Sequence, residues 1–578
     1  MLVNKDNLDI FIKKSQAKLE EEFAGRPYCE GVLSSSALST AVSCIALNTL
    51  DSSKYKSEIK RALQWLLINM NEDGGWGDTV DSPSNLSTTL LCWAALEGMN
   101  HASLEKVEGY LNNKMGSLKP KSIVKGLEDI YGEDKTFAVP ICMALAISGR
   151  LGGESTCWKW VSSLPFELAA VPQKWYQYTN MSVVSYAIPA LISIGIVKHK
   201  KSSSFLGWFR EMFVKKCLLK LSSIQPSHGG FLEAVPLTGF TAMALKVAGV
   251  NSYGVIDKAE DFLRKSIRED GSSPIDTNLS LWLTSLSLEA VAKVETKINK
   301  HQVGDWLCER QTKSTDPYAG AQAGGWAWTP LPGGVPDADD TSAALLALLN
   351  SGYENEAVFD RGIDWLLELQ NKDGGVPTFC KGWGRLPFDQ SCSDITAHAM
   401  RVFQAFQRKY PNKARDRIDN FMKQAFLFLE REQRGDGSWV PLWFGSQDQS
   451  NKENPVYGTS KVLLALTGED ARVLKMKERG VAYLLEVQAE DGGFGGFLHG
   501  PRSIEETALA LKAIISMKGC EEAVSKAMSW LIQETQVGEV FKAKPIGLYF
   551  ASLWYSEKLY SLIFSLDAGL CFRASLKT

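Results

Sequence analysis

No apolar run in this sequence is long enough to cross a bilayer. The longest, residues 182–197, is broken by Pro189 and falls short of the ~20 residues a spanning helix needs. The N-terminal segment is charged from Lys5 onward and has no apolar core, which argues against a secretory leader. The 11 cysteines are odd in number and form no C-x-x-C pair, so reduced thiols and a cytoplasmic location are expected. The six histidines include no pair at ligand spacing, and no metal or other cofactor is implied. There is no G-x-G-x-x-G turn and no sustained alternation of the kind strands show. A net charge of -3 over 578 residues gives no broad basic face for nucleic acid.

What is present is hydrophobic bulk and a repeat. Hydrophobic residues make up 45% of the chain, enough for more than one core at this length. Seventeen Trp and 25 Phe are many; most suit ordinary cores, and the rest are available to line a pocket. The phrase "apolar helix, Gln, three residues, Gly, one residue, aromatic" recurs around Gln225, Gln370 (without the final aromatic), Gln433 and Gln488, with weaker copies ending at Trp76 and Ser273 and after Gln311 and Gln536. Each unit reads as a helix stopped by Asp-Gly-Gly, followed by a second apolar helix such as 341–349 or 507–515. Two helices cannot bury their own apolar faces. Stacking the units in a ring can, which predicts an all-α chain of α/α barrels. The Gln is expected to cap the turn and the aromatic to lie over the next helix end, both as structural staples. The segment 249–254, Gly-Val-Asn-Ser-Tyr-Gly, reads as a loop, and the domain seam is placed at 251–257.

One segment carries chemistry. Residues 336–341 read Pro-Asp-Ala-Asp-Asp-Thr, with Asp337, Asp339 and Asp340 inside an apolar stretch. Crowded carboxylates repel one another, and burial disfavours their charge, so one of them can stay protonated near neutral pH. A neutral carboxylic acid in an apolar pocket is a strong local acid, suited to a substrate that only strong acid attacks, such as a carbon–carbon double bond. An Asp just before a helix is also a common N-cap, and Asp340 is placed for that role alone.

Taken with those repeats, Asp337-Ala-Asp339-Asp340-Thr341 resembles the class II terpene cyclases, and within them the squalene–hopene cyclase family. The segments Gly324-Gly-Trp-Ala-Trp328, Asp394-Ile-Thr-Ala-His398, Gly437-Ser-Trp439, Tyr457-Gly-Thr459, Ser503-Ile-Glu-Glu-Thr507 and the closing stretch 548–555 also fit, so the likeness covers nearly the whole chain. It implies two α/α barrels with a cavity between them. A catalytic barrel would hold 257–578 with an N-terminal helix in 1–25, and a second barrel 26–250. It further implies conversion of a linear polyprenyl hydrocarbon such as squalene to a polycyclic triterpene of hopene type. Asp339 would be the proton donor and His398 its hydrogen-bond partner. Asp394 would orient His398 from the other side, and Asp337 and Asp340 would tune and reload the acid. Trp326, Trp328, Trp443, Tyr549 and Ile275 would meet the substrate, the aromatics by cation–π attraction. The apolar, basic-edged stretch 205–216 lies where the family dips into one membrane leaflet; it also reads as an ordinary amphipathic helix. A homodimer is compatible with this pattern.

The likeness has departures. Ile275 stands where many relatives carry Trp. Residues 33–40 hold no acid where squalene–hopene cyclases carry glutamates, and 446–454 is an extra polar insert beside Trp443. Three other readings remain open at this point. One is a cyclase of a prenyl diphosphate such as geranylgeranyl diphosphate, which would need Lys or Arg at the cavity mouth. The others are a protein prenyltransferase β-subunit with a zinc site, and a non-catalytic α/α barrel.

Overall fold

The computed structural model describes residues 3–98, 103–132, 135–171, 188–202, 207–316, 320–379, 389–549 and 553–577. Residues 182–187 of the apolar run, Phe205, Leu206 and Cys380 lie outside the described residues. The described cysteines are free thiols.

The helices form two rings. In the first, Ala37–Asp51, Leu86–Ala95, Lys135–Ile147, Ile188–Lys201 and Val235–Ala248 pack each on the next, and the last packs on the first. In the second, the inner helices are Ser280–Val291, Ala338–Asn350, Ser393–Lys409, Pro455–Leu463, Ile504–Ile514 and Lys558–Ser575, closed in the same way. Inner helices are apolar almost all round and are buried accordingly; Ala41, Val42, Ala46 and Leu47 are examples. Outer helices bury one stripe, as Glu356–Leu369 does with Phe359, Ile363 and Leu366. Two α/α barrels, as the repeats predict, are the result. Strands are limited among the described residues to short two-stranded pairs.

The repeat has a hydrogen-bond logic. Gln433 Nε2 donates to the carbonyls of Gly437 (2.9 Å) and Met476 (3.0 Å), tying its own turn to the next outer helix. Gln225, Gln311, Gln370 and Gln488 do the same with Gly229 and Val255, Gly324 and Val358, Gly374 and Phe421, and Gly492 and Ala523. The repeat tryptophans turn back rather than forward. Trp76, Trp326 and Trp439 donate their indole N–H to Leu66, Leu307 and Leu429 in the preceding outer helix. Their backbone N–H groups donate to Thr89, Thr341 and Thr459 on the following inner helix. Each turn thus joins three helices with no buried backbone group left over at these points.

The seam read at 251–257 falls inside the first ring. The next helix, Val255–Ser266, packs on Val235–Ala248 and Ala37–Asp51, and Gly271 lies against the Arg61 carbonyl. The 249–254 loop is an inner-to-outer turn, which carries the same Gly and Asn signals as a linker. The chain passes between rings at Ser273–Pro274, which pairs antiparallel with Ser35–Ser36. At the other end, Lys5–Phe23 packs against Lys558–Ser575 and Glu521–Glu534. The 446–454 insert also acquires a role. Gln447 donates to the Asp81 carbonyl of the first ring (2.9 Å), Arg434 forms a forked pair with Glu453, and Asn454 caps Pro455–Leu463.

Gly437 tests the repeat. Its φ is +94°, and an added Cβ would lie 2.3 Å from the Arg479 carbonyl. Gly437→Ala is expected to destabilise the protein by about 1–3 kcal/mol. Gly435→Ala, with nothing near its Cβ site, should change stability by less than about 1 kcal/mol. Urea denaturation of both variants checks this.

Candidate active site

Three inner helices of the second ring, Ser280–Val291, Ala338–Asn350 and Lys558–Ser575, bring their first turns to one cavity, which Leu33 also lines. Its near rim is bonded across: Gly333 N donates to Glu233 (2.8 Å) and Trp554 N to Asp78 (3.0 Å). The acid triplet enters at the start of Ala338–Asn350, one turn earlier than sequence periodicity suggests. The N-cap is therefore Asp337 and not Asp340: Asp337 Oδ1 accepts from the N–H groups of Asp339 (2.9 Å) and Asp340 (2.8 Å). All three acids line the cavity, in the first turn, where the helix dipole favours carboxylate.

Their environments separate them. Burial pushes Asp337 up to about 7, against hydrogen bonds that work the other way. Burial and the Asp337 charge push Asp340 well above the usual range, and its Oδ1 has no hydrogen-bond partner. Asp339 goes the other way. Burial would raise it, but the His398 charge and hydrogen bond hold it below its ordinary value. His398 Nδ1 stands 2.5 Å from Asp339 Oδ1. Burial and the Lys461 charge oppose a cation on the imidazole. The hydrogen bond lowers Asp339 whichever form the ring takes, because an Nδ1–H can donate to the carboxylate from both the neutral and the charged imidazole. Asp339 is then the strongest acid of the triplet, and its side chain is 16% exposed while that of His398 is 0% exposed.

Asp394 does not orient His398. His398 Nε2 has no partner, and the Asp394 carboxyl accepts from the Cys392 thiol instead. Asp394 and His398 are four residues apart on Ser393–Lys409, so both face the acid side without meeting ring to carboxyl. Burial, then the Asp339 charge, raises Asp394 to about 6.

Trp328, Trp443, Tyr549 and Ile275 line the cavity. Trp326 does not; it is a fully buried repeat staple. Aromatic edges meet in sequence, Trp328 on Phe379 at 6.4 Å and Phe379 on Trp443 at 6.5 Å between ring centres. Sequence reasoning missed Trp282 and Tyr560 in the wall. Trp282 crosses His398 edge-on at 6.2 Å and donates to Tyr560 Oη (3.1 Å). Their one sequence signal is place: each falls in the first turn of an inner helix, as Asp339 does. It missed Lys461 too. This lysine is 8% exposed and lies 6.0 Å from the Trp282 ring centre and 5.8 Å from that of Tyr457. Arg401 pairs with Glu289 at 2.5 Å beside it. Among the described residues no Lys or Arg lines the cavity, and no cluster of three or more His, Cys, Asp or Glu is placed to hold a metal.

The raised Asp394 has a stability consequence. Unfolded, it releases its proton near 3.8; folded, near 6. Between those values the folded chain binds the extra proton, so stability falls as pH rises through the window and then levels. Asp394→Asn should flatten that part of the curve, read by urea denaturation from pH 4 to pH 8; an unchanged slope would rule out this assignment.

Comparison with known proteins agrees with this architecture. Residues 278–505 match the squalene-hopene cyclase C-terminal domain family and residues 4–140 the prenyltransferase alpha-alpha toroid domain family. The enfumafungin synthase of Hormonema carpetanum is 24% identical over 85% of this chain, which spans only 42% of that protein's length. The squalene hopane cyclase of Aspergillus fumigatus is 23% identical over 87% of this chain and 81% of its own. The solved ent-copalyl diphosphate synthase of Streptomyces platensis has the same fold, with a TM-score of 0.61 at 17% identity over 98% of this chain and 99% of its own. With an acid triplet at the head of an inner helix inside the matched region 278–505 and two helical rings, the chain is similar to the squalene–hopene cyclases over that region and has the fold of class II terpene cyclases.

Proposed function

We propose that the protein is a protonation-initiated cyclase of a linear polyprenyl hydrocarbon, squalene being the first candidate, and that it yields a polycyclic triterpene of the hopene type. The observation that carries this reading is Asp339, an acid in a cavity walled by aromatic rings, with His398 bonded behind it at 2.5 Å. Asp339, ionised at rest, takes a proton from Asp337 or Asp340 and gives it to a terminal alkene: the new O–H bond breaks, a C–H bond forms, and a carbocation is left on the chain. The chain's own next double bond then attacks it. His398 stabilises the carboxylate that remains. Asp337 and Asp340, raised toward neutrality, hold protons that can reload it. Trp328, Trp443 and Tyr549 face the moving charge without acting as nucleophiles, at about 2 kcal/mol per desolvated contact. Ile275 shapes the wall. A diphosphate substrate is the weaker reading, because the described lining offers no cation to receive it.

The working units on this reading are the second ring with helix Lys5–Phe23, and the first ring extended to Gly271. The route in from a membrane would be Gly207–Ile224. Trp208 and Met212 on it are 72% and 68% exposed, beside Lys215 and Lys216, a composition suited to resting in one leaflet. Among the described residues no helix is long and apolar enough to cross a membrane.

Incubation with squalene and, separately, geranylgeranyl diphosphate, read by gas chromatography–mass spectrometry, should give cyclised product from the hydrocarbon, with or without EDTA. Turnover of the diphosphate alone overturns the substrate. Asp339→Asn should fall below about 1% of wild-type turnover with an unchanged circular dichroism spectrum; near-normal turnover moves the acid elsewhere. The double change Trp208→Ser with Met212→Ser should weaken binding to phospholipid vesicles by about tenfold or more, measured by co-sedimentation.

A further inference from the structure

Charges inside the second ring are mostly matched. Arg401 pairs with Glu289 at 2.5 Å, and Lys512 pairs with Asp567. Lys461, on the inner helix Pro455–Leu463, is 8% exposed, and among the described residues it has no ion-pair or hydrogen-bond partner. Its ammonium meets two rings instead, 6.0 Å from the centre of Trp282 and 5.8 Å from that of Tyr457. A buried cation without a counter-ion costs stability, and an apolar side chain of similar length would fill the place without that cost. Packing alone does not call for a lysine here.

Trp282 also packs on His398, the rings crossing edge-on at 6.2 Å, and the helices that carry Lys461 and His398 lie side by side. His398 is fully buried; its Nδ1 stands 2.5 Å from Asp339 Oδ1, and its Nε2 has no partner. An imidazolium carries a proton on both nitrogens. The proton on Nε2 would be a charged donor buried with no acceptor, which costs more than a bare ring nitrogen there. The nearby charges divide. Asp339 and Glu289 favour a cation on the ring; Lys461 and Arg401 oppose it, and burial opposes it most. Arg401 and Glu289 answer each other. Asp394, one turn back on the same helix, accepts from Cys392, and burial keeps the Tyr457 phenol neutral. Lys461 is the charge left to set against Asp339.

We propose that Lys461 is a positioning residue for the acid: a fixed buried cation that keeps His398 a neutral imidazole, with its one proton on Nδ1 and directed at Asp339. The ring then steadies the Asp339 carboxylate but has no second proton to give, so the proton that reaches the substrate comes from the carboxyl groups of the triplet. Lys461 does not line the cavity and is not bonded to Asp339; it acts through His398. The role rests on the cyclase reading only for what the acid does, not for the state of the ring.

The test follows the six histidines of the full chain in detergent micelles by NMR of isotope-labelled imidazole, from pH 5 to pH 8. His398 is assigned by the signal that His398→Gln removes. In the wild type that signal should be the neutral, Nδ1-protonated ring at pH 7. In Lys461→Met its titration should move up by about one pH unit or more, because a like charge has gone. Lys461→Gln, a second neutral variant with a polar end, should follow it. Lys461→Arg, which keeps the charge, should stay within about half a pH unit of the wild type. A lysine that only fills space would leave the titration unmoved in every variant. An imidazolium in the wild type at pH 7, or a titration in both neutral variants no higher than the wild type's, overturns the role. The measurement needs no substrate: a protein that shows the shift but cyclises neither hydrocarbon nor diphosphate sinks the cyclase reading and leaves the hold of Lys461 on His398 standing.

Discussion

A buried carboxylate stands only if a hydrogen bond replaces the water it has lost. Here one bond does so for Asp339, from His398 Nδ1 to Asp339 Oδ1. The surroundings of that bond follow from it. The imidazole is sealed from the cavity by Trp282 and Asp339 themselves, so the bond is strong for want of competing water. The charge behind it is also arranged. Lys461, and the paired Arg401 and Glu289, sit in the second ring's core rather than in the cavity wall. Lys461 favours the ionised Asp339, and among the described residues the cavity lining holds no Lys or Arg.

The ring architecture makes this geometry affordable to the backbone. Inner helices whose first turns line a cavity, as those of Ser280–Val291, Ala338–Asn350 and Lys558–Ser575 do, would leave orphan N–H groups there. The repeat bonds and side-chain caps absorb them. Asp337 takes two in its own helix, Asn454 caps another, and the turn Thr residues accept from the repeat before them. A wall so satisfied can be apolar and still be made of helix ends. Asp340 Oδ1 is an exception in that wall, with no hydrogen-bond partner.

The fold was legible because it is periodic. Five of the repeat Gln residues each donate to a turn Gly carbonyl and to the next outer helix, and Trp76, Trp326 and Trp439 each donate to the preceding one, so a pattern of letters is a pattern of contacts. The domain seam was not legible, because the turn at 249–254 inside a ring and a linker between rings use the same residues for the same backbone reasons. In the site, Asp339 and His398 were readable as a spaced pair, yet the partner assigned to His398 was not. Asp394 lies one helical turn from His398, a spacing that puts both on one face but does not say which of them touches Asp339. The capping acid was misplaced for a related reason: the helix begins at Ala338, and only the backbone tells that Asp337 is the residue outside it. Lys461 had no signal, since a lysine at the end of an apolar helix reads as a surface charge until its helix is known to be an inner one. Trp326 had a false one, being close to Trp328 in sequence but directed into the repeat.

Acid and repeat are one piece of chain. Trp326 N donates to Thr341 Oγ1, Asp337 N donates back to the Trp326 carbonyl, and Ala338 N donates to the Thr378 carbonyl. The last residue of Asp-x-Asp-Asp-Thr is therefore a staple of the ring, bonded as Thr396, Thr459 and Thr507 are in the neighbouring repeats. Asp339 stands between two such fixed points, so its position is set by bonds that the ring needs in any case. The far wall is tied as well. Val235 N donates to the Ile275 carbonyl, and Tyr549 pairs with Leu553 in a short strand pair. Trp443 Nε1 donates to Thr378 Oγ1 at 2.7 Å, while the Thr378 carbonyl accepts from Ala338 N, so wall and acid share one fixed point.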